Sequence, residues 1–338
     1  MHRHPCPKET EMGQIDYVLK NYLSDRRRYA DVCNGSLFAG RQILKAEELE
    51  PVTPAVVGKL QEKYFERTSD LVMRQRTTGN LFSIWIMENQ NTVDYSMPVR
   101  VMLKEAMEYD RQLQGLRKKN AKSCERQNSS GQKNMLSQGE FLCGIRKTDR
   151  LHPVTTLVVY WGQKKWDGPR CLHEMIDFGD DEPVIKAAQR HTVVDYPIRI
   201  LDLSEENNYD VFQTEMRMVF ELYARRNDKT RFWQYVSGHA ECRQMETETV
   251  EVIGRLTGTQ ELLEIVKENT DKNNKEVCDM CKAIADLIED GRKQGIKEGK
   301  EAMIKILIEL ASDGSITIQK AAEKAGMDIA SFEKRMKE

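Results

Sequence analysis

Short apolar segments on either side of a Gly-Asn turn predict a β-hairpin in the first third of the chain. The segments are 71–73 and 81–87, the turn is Gly79-Asn80, and Asp70 directly precedes the first segment. Because alternate residues of a strand share a face, the second strand should present an apolar face that ends in a carboxylate and an amide. The residues predicted on that face are Phe82, Ile84, Ile86, Glu88 and Gln90.

Apolar spacing around this hairpin predicts helices that flank a buried sheet. Tyr17–Asn34 has helical periodicity with Asn34-Gly35 as its stop signal, and Pro98–Gln112 opens with a proline in the first helical turn. Val154–Tyr160 is a continuous, largely β-branched run, typical of a central strand that is covered on both faces. Ile198–Leu203 predicts one more short strand. The pattern therefore predicts an α/β fold with a sheet between helices.

Downstream of Phe212 the pattern is helical. Gly291, Gly295 and Gly299 recur every fourth residue along one side of a helix, which fits either a self-association seam or a pliable tether. From Ala302 the chain should form a separable unit with helix-turn-helix-like spacing, which binds DNA or docks proteins, including copies of this chain. The predicted domains are a disordered appendage at 1–11, a body at 12–205, a helical region at 206–290 and a tail at 291–338.

Composition narrows the class of protein. The chain has 338 residues, of which 39% are hydrophobic and 31% charged, as in globular proteins. No apolar run approaches the roughly 20 residues that span a bilayer. The start lacks the apolar segment of a secretory signal, and Met12 is an alternative start to Met1. Eight cysteines without disulfide-framework spacing favour a reducing compartment, so we expect a cytoplasmic protein without membrane contact.

One basic segment stands out in a chain whose net charge is −2. Between residues 110 and 134, seven basic residues occur with two acidic ones, and the segment ends in the loop-like run 128–132. Such a charge run is either an arm that contacts phosphates or a solvated linker. The candidate DNA contacts in this segment are Arg117, Lys118 and Lys119.

The carboxylates of the hairpin suggest metal chemistry. Asp70 and Glu88 should converge at the ends of paired strands, where their mutual repulsion requires compensation. A hard divalent cation, which prefers oxygen ligands, is the commonest partner of such a pair. The alternative is a pair of polar strand ends that serves the fold alone.

Several further segments follow one another in a recognisable order. They are Asp31–Gly40, Asp70 with Glu88-Asn89-Gln90, 93–103, 153–162, 165–169 and the glycine-spaced helix. Together they resemble the PD-(D/E)xK nucleases, in the variant in which glutamine replaces the motif lysine. The resemblance is closest to the recombination-promoting nuclease or YhgA-like transposase family. It implies a restriction-endonuclease-like mixed sheet flanked by helices, followed by a mostly helical C-terminal region.

The same resemblance implies a metal-dependent DNA endonuclease that hydrolyses phosphodiester bonds and acts in recombination or on mobile elements. Mg²⁺, with Mn²⁺ as a substitute, would be bound by Asp70, Glu88 and the backbone carbonyl of Asn89. Gln90 would orient the attacking water, because an amide forms hydrogen bonds but carries no charge.

Two residues of the resemblance keep open assignments. Asp31, in the first helix, would either approach the metal or cap a loop. Arg100 would contact the scissile phosphate or form a salt bridge. The alternative function for the whole chain is a catalytically weak or inactive protein of nuclease shape that binds DNA or assembles into oligomers.

Overall fold

The computed structural model describes residues 7–52, 71–78, 80–129, 136–179, 182–204, 207–260, 262–264, 266–267 and 277–337. The chain divides into two compact units, Met1–Phe232 with Glu251–Thr259, and Trp233–Val250 with Gln260–Glu338. Of the predicted appendage at 1–11, residues 7–11 belong to a helix. The predicted boundary after residue 205 lies inside the first unit, and the one after residue 290 lies inside a continuous helix.

The described residues form helices and strands with the following bounds. The α-helices are α1 (Pro7–Leu23), α2 (Arg26–Phe38), α3 (Met97–Ser129), α4 (Gln138–Cys143), α5 (Pro183–Thr192), α6 (Met216–Ala224), α7 (Lys229–Gly238), α8 (Thr247–Thr257), α9 (Met280–Ser312), α10 (Ile318–Ala325) and α11 (Ile329–Lys337). The strands are β1 (Leu49–Pro51), β2 (Leu71–Thr77), β3 (Asn80–Gln90), β4 (Val154–Tyr160), β5 (Arg199–Asp202), β6 (Met245–Glu246) and β7 (Val277–Cys278).

The first unit contains a mixed sheet in the order β1-β2-β3-β4-β5. The first three strands are antiparallel neighbours, and β3, β4 and β5 run parallel to one another. A parallel pair needs a crossover connection, and α3 lies between β3 and β4 in the chain. The predicted α/β fold with a mixed sheet is therefore confirmed, whereas the finer PD-(D/E)xK assignment stays a prediction.

The predicted hairpin forms, but a β-bulge changes one face of β3. Ser83 pairs with Gln75 and Leu81 with Arg76, so Phe82 is an extra residue in β3. As a result Leu81, rather than Phe82, packs with Ile84 and Ile86. The placement of Phe82 on that face was wrong, and its side chain is 56% exposed.

Helices cover both faces of this sheet. On one face, Met97 and Val101 of α3 pack against Val158 of β4. On the other, the Phe38 ring of α2 meets the Trp85 ring edge to face, with centroids 5.9 Å apart. The central strand predicted at Val154–Tyr160 has these bounds in the structure and is buried at all but one position.

The first predicted helix is wrong in extent. Two helices, α1 and α2, replace the single helix at Tyr17–Asn34, because Asp25 caps the N-terminus of α2 by accepting from the backbone N–H groups of Arg27 and Arg28. Asn34-Gly35 is not a stop, because α2 continues to Phe38. The Asn34 carboxamide oxygen instead accepts from the backbone N–H groups of residues 43 and 44 and holds the segment after the helix. A Cβ on Gly35 would lie 2.2 Å from the Phe212 ring, so this helix needs glycine for close packing.

Helix α3 is longer than predicted and contains much of the basic segment. It extends from Met97 to Ser129 instead of ending at Gln112, so the basic residues between 110 and 129 lie on a helix. Asn120 holds the later turns in place, because its amide donates to the Gly144 carbonyl at 3.0 Å and to the Asp149 carboxylate at 2.7 Å. Residues 130–134 lie outside the described part of the chain.

The second unit contains the small two-stranded sheet β6-β7 and the tail helices. Gly291, Gly295 and Gly299 lie in α9, and a Cβ on any of them would meet nothing within 4 Å among the described residues. The tail helices enclose a buried apolar cluster, whose members are Leu307, Ala321, Ala322 and Phe332. Across the described residues, every helix is too short or too polar to cross a bilayer.

Candidate active site

The candidate site lies where the parallel strands end. Glu88 pairs with Val158 of β4, and Gln90 pairs with Tyr160. The Val158 face is the one that α3 covers, and Glu88 and Gln90 are on that face, joined by a hydrogen bond of 3.1 Å from the Gln90 amide to Glu88 Oε2. In open α/β sheets the carboxyl ends of the strands are the usual location of ligand sites.

Two cations neutralise the Glu88 carboxylate, of which 2% is exposed. The Lys104 ammonium forms an ion pair with Oε1, and Arg100 Nη2 lies 3.3 Å from Oε2. A buried carboxylate without such partners would take up a proton rather than remain charged. The pairing therefore favours an ionised Glu88, which is the form that binds metal ions.

Arg100 also reaches a second carboxylate, Asp94, in the segment just before α3. Asp94 accepts from the backbone N–H of Ser96 at 2.8 Å and from its hydroxyl at 2.6 Å. Partial burial raises the pKa of Asp94, but the hydrogen bonds from Ser96 and Arg100 outweigh it, so that the pKa is lowered overall. Asp94 stays charged and holds Arg100 beside Glu88.

Lys104 is a site residue that the sequence interpretation missed. It lies four residues after Arg100 in α3, and residues at this spacing share one face of a helix. Both side chains therefore reach the same carboxylate. The signal was present in the predicted Pro98–Gln112 helix, but only the position of α3 across the sheet brings Lys104 to Glu88.

A buried glutamate fixes α3 on the sheet. Glu105 accepts from the backbone N–H of Thr156 at 2.8 Å and from the hydroxyl of Tyr196. Strand β4 pairs with β5 only from Leu157 onward. Glu105 therefore supplies the acceptor for the N–H of Thr156, which lies one residue before that pairing. Burial first, and the bond to Glu105 second, raise the pKa of the Tyr196 phenol.

Asp31 lies away from Glu88, on the helix that covers the opposite face. Its Oδ1 accepts from the backbone N–H of Gln213 at 2.8 Å, and its Oδ2 accepts from the backbone N–H and hydroxyl of Thr214 at 2.8 and 2.6 Å. These bonds match the loop-capping alternative. No hydrogen bond or ion pair within the described residues joins Asp31 to Glu88.

The remaining predicted metal ligands are only partly described. Asp70 lies outside the described residues, and β2 begins at Leu71, opposite Met87. The side chain of Asn89 accepts from Trp161 Nε1 at 3.1 Å, and the role of its backbone carbonyl stays a prediction. In the described part of the chain, three or more His, Cys, Asp or Glu side chains do not gather into a metal-binding group.

Asp202, at the end of β5, is a further buried carboxylate that the sequence interpretation missed. It accepts from the backbone N–H of Trp166 at 2.9 Å and from the backbone N–H and hydroxyl of Ser204 at 3.0 and 2.6 Å. Its oxygens are thus used to hold the loop after β4. Nearby, the hydroxyl of Tyr95 donates to Asp167 at 3.0 Å, which ties that loop to the segment before α3.

The predicted DNA contacts lie on α3 rather than on a loop. Arg117 donates from Nε to the carbonyl of Cys143 at 3.2 Å, whereas Lys118 and Lys119 are exposed. Arg100 is part of the Glu88 ion-pair cluster, as its salt-bridge alternative required. The structure therefore joins Glu88, Gln90 and Arg100, and it leaves Asp31 and Arg117 elsewhere.

Comparison of the chain with protein-family models, curated proteins and solved structures finds no match.

Proposed function

We propose that the chain is a metal-dependent endonuclease that hydrolyses phosphodiester bonds in DNA. The observation that carries this proposal is the buried Glu88 carboxylate, held with Gln90 at the end of a parallel strand and balanced by Arg100 and Lys104. A carboxylate can bind a metal ion. The two cations beside it can form charge-assisted hydrogen bonds to a negatively charged substrate such as a phosphodiester.

The donor set fits Mg²⁺, with Mn²⁺ as a substitute. Mg²⁺ is usually bound by one or two carboxylates, with waters and substrate oxygens as the other ligands. Glu88 supplies one carboxylate, and Asp70 with the backbone carbonyl of Asn89 complete the proposed set. Since both Glu88 oxygens already have cationic partners, metal binding requires Lys104 or Arg100 to release one of them. The metal would lower the pKa of a bound water and screen the phosphate charge.

The side chains around Glu88 have separate tasks in this proposal. Once released from Glu88, Lys104 and Arg100 are free to neutralise the phosphoryl oxygens of the substrate. Lys104 thereby provides the positive charge that an amide at position 90 lacks. Gln90 keeps its bond to Glu88 with the amide N–H and can accept from the attacking water with its carbonyl oxygen.

Plasmid nicking in Mg²⁺ tests the proposal. Glu88→Gln keeps the shape of the side chain but removes its charge, and we expect a loss of at least about 100-fold in nicking rate, near 2.7 kcal/mol in barrier. Glu47→Gln, at an exposed position of the same unit, is the matched control and should behave as wild type. Thermal melting of all three proteins checks that the fold is retained. Equal nicking by wild type and Glu88→Gln would exclude Glu88 from the chemistry.

One observation favours a second candidate function, a protein of nuclease shape that binds DNA without cutting it. Glu88 is already neutralised by side chains, so the cluster is balanced without any metal. Calorimetric titration with Mg²⁺ and Mn²⁺ separates the two candidates. Metal binding that Glu88→Gln abolishes supports the nuclease, while DNA binding with no metal binding supports the alternative.

A further inference from the structure

Helix α3 carries a straight row of positive side chains on one flank. At 3.6 residues per turn, five basic positions spread over more than six turns fall within about 40° of one another around the helix axis. We call this row the α3 stripe. Its members are Arg100, Lys104, Arg111, Lys118 and Lys122.

The α3 stripe begins inside the candidate site and continues onto the surface. Lys104, whose side chain is 9% exposed, pairs with Glu88, whereas Lys118 and Lys122 are exposed and form no ion pair within the described residues. At about 1.5 Å per residue, the distance along the axis from Arg100 to Lys122 is about 33 Å. One rigid helix therefore links the buried carboxylate to a positively charged surface.

Two other basic residues of α3, Arg117 and Lys119, lie outside the stripe. Arg117 bonds to the carbonyl of Cys143, and the charge of Lys119 helps to lower the pKa of Asp149, after the larger effects of hydrogen bonds from Arg146 and Asn120. Both side chains thus border the segment that packs on Asn120. The stripe lies on the side of α3 away from this segment.

The charges near the middle of the stripe, around Arg111, sum to a net positive charge. Arg111 pairs with Glu108, with 2.7 Å between Arg111 Nε and Glu108 Oε2. Arg74 of β2 lies in the same neighbourhood: burial first, and the charge of Arg111 second, lower its pKa. The Nε of Arg74 is buried and makes no hydrogen bond to the described residues. Arg76 and Glu50, which also act on Arg74, form an ion pair with each other. The guanidinium groups of Arg74 and Arg111 therefore share one remaining carboxylate and leave a net positive charge.

We infer that duplex DNA lies along the α3 stripe, with phosphates of its backbone against the row of cations. This inference rests on the proposed function, because it places the substrate of the Glu88 site. A length of about 33 Å corresponds to about ten base pairs at 3.4 Å each. The α3 stripe binds DNA without sequence preference, since phosphate contacts position a protein but do not read bases.

The composition of the stripe favours a duplex over a single strand. Proteins that bind single strands interleave cations with aromatic side chains on which bases stack. Between Arg100 and Lys122 the only aromatic residue is Tyr109, and its hydroxyl accepts from the backbone N–H of Val154 on the packed side of the helix. The stripe offers charge without a stacking surface.

A DNA-binding assay tests the inference. Fluorescence anisotropy measures the affinity of the full-length protein for a duplex of about 30 base pairs, which is longer than the stripe, in EDTA at several salt concentrations. We expect Lys118→Gln with Lys122→Gln to weaken binding to two unrelated duplexes equally. The slope of log K against log salt should fall by about 1.8, or 0.9 for each lost phosphate contact. Lys119→Gln with Lys147→Gln removes the same charge from two exposed positions outside the stripe and should leave the slope unchanged.

Other results would overturn the inference. An equal loss in both double variants would show that only net charge matters. An unchanged slope in both would exclude Lys118 and Lys122 as phosphate contacts and so overturn a duplex that follows the whole stripe. Tighter binding of a single strand of the same length would exclude a duplex track. A nicking assay of the wild-type protein in Mg²⁺ keeps this test separate from the proposed function. If the double variant at Lys118 and Lys122 lowers the slope but wild type does not nick DNA, the stripe binds DNA and the nuclease proposal is wrong. If wild type nicks DNA but the slope is unchanged, the nuclease proposal stands and the stripe does not bind the duplex.

Discussion

Glu88 and Asp31 are buried carboxylates of the same unit, and they are neutralised by different kinds of partner. Asp31 accepts from the backbone N–H groups of Gln213 and Thr214 and from the Thr214 hydroxyl. Glu88 is paired with the long side chains of Lys104 and Arg100. Backbone donors cannot leave without unfolding the segment that carries them, whereas long side chains can turn to another anion. The comparison teaches that burial alone does not identify a reactive carboxylate; its partners must be exchangeable.

Asp202 belongs with Asp31 in this comparison. Its oxygens accept from the backbone N–H groups of Trp166 and Ser204, so it holds a loop in the way that Asp31 does. Only Glu88, among these three, is held mainly by cationic side chains. We therefore expect substitutions at Asp31 to change stability and substitutions around Glu88 to change activity.

The largest expected effect is on stability. Asp31→Ala removes three partly buried hydrogen bonds, from two backbone N–H groups and a hydroxyl, and each bond contributes about 1 kcal/mol or more. We predict a loss of about 3 kcal/mol or more in the free energy of unfolding, measured by urea denaturation. Asp31→Asn, which keeps one acceptor, should lose less. Normal stability together with abolished nicking would instead place Asp31 in the active site.

The next effect concerns the cation that the comparison singles out. Lys104→Met should lower nicking about 100-fold, or about 2.7 kcal/mol, because no lysine replaces its charge. Adding Gln90→Lys to this variant should restore part of the activity, since position 90 lies next to Glu88 on the same face. Lys186→Met, on the exposed helix α5, is the control. Failure of the rescue while metal binding is intact would show that the charge must come from α3.

A smaller effect should depend on pH. The pKa of Asp94 is lowered in the folded protein, because its hydrogen bonds from Ser96 and Arg100 outweigh the effect of burial. A lowered pKa means that Asp94 stabilises the fold above its ordinary pKa of 3.8 and loses that contribution as the pH falls through the lower, folded-state value. Wild type should therefore unfold at a higher temperature than Asp94→Asn at pH 6, and the gap should be smaller at about pH 3, below the ordinary pKa of 3.8. A gap of equal size at both pH values would contradict this role.

Removal of the tail should have the smallest effect on the nicking rate. Truncation after Glu301 removes the apolar cluster around Leu307 and Phe332, which belongs to the second unit. We predict nicking within about twofold of wild type, with lower DNA affinity or a smaller oligomer, measured by binding and light scattering side by side. A truncated protein that unfolds would show that the tail is not separable.

The elements that could be predicted from the sequence are those whose apolar pattern is local. The hairpin and the central strand at Val154–Tyr160 both appear in the structure. Each depends on residues only a few positions apart, since the period of the pattern reports which side of one strand or helix is buried. For the same reason, the spacing of Glu88 and Gln90 is enough to place both residues on one face of their strand.

Contacts between distant residues were decided only by the tertiary structure. Asp31 meets backbone donors 182 and 183 residues further along the chain, and Lys104 reaches Glu88 only because α3 crosses the sheet at that point. The extension of α3 to Ser129 has the same origin, since Asn120 binds the distant Gly144 and Asp149. Local periodicity carries no information about which partner a buried polar group will find, and it is those partners that separate the carboxylate of the fold from the carboxylate of the candidate site.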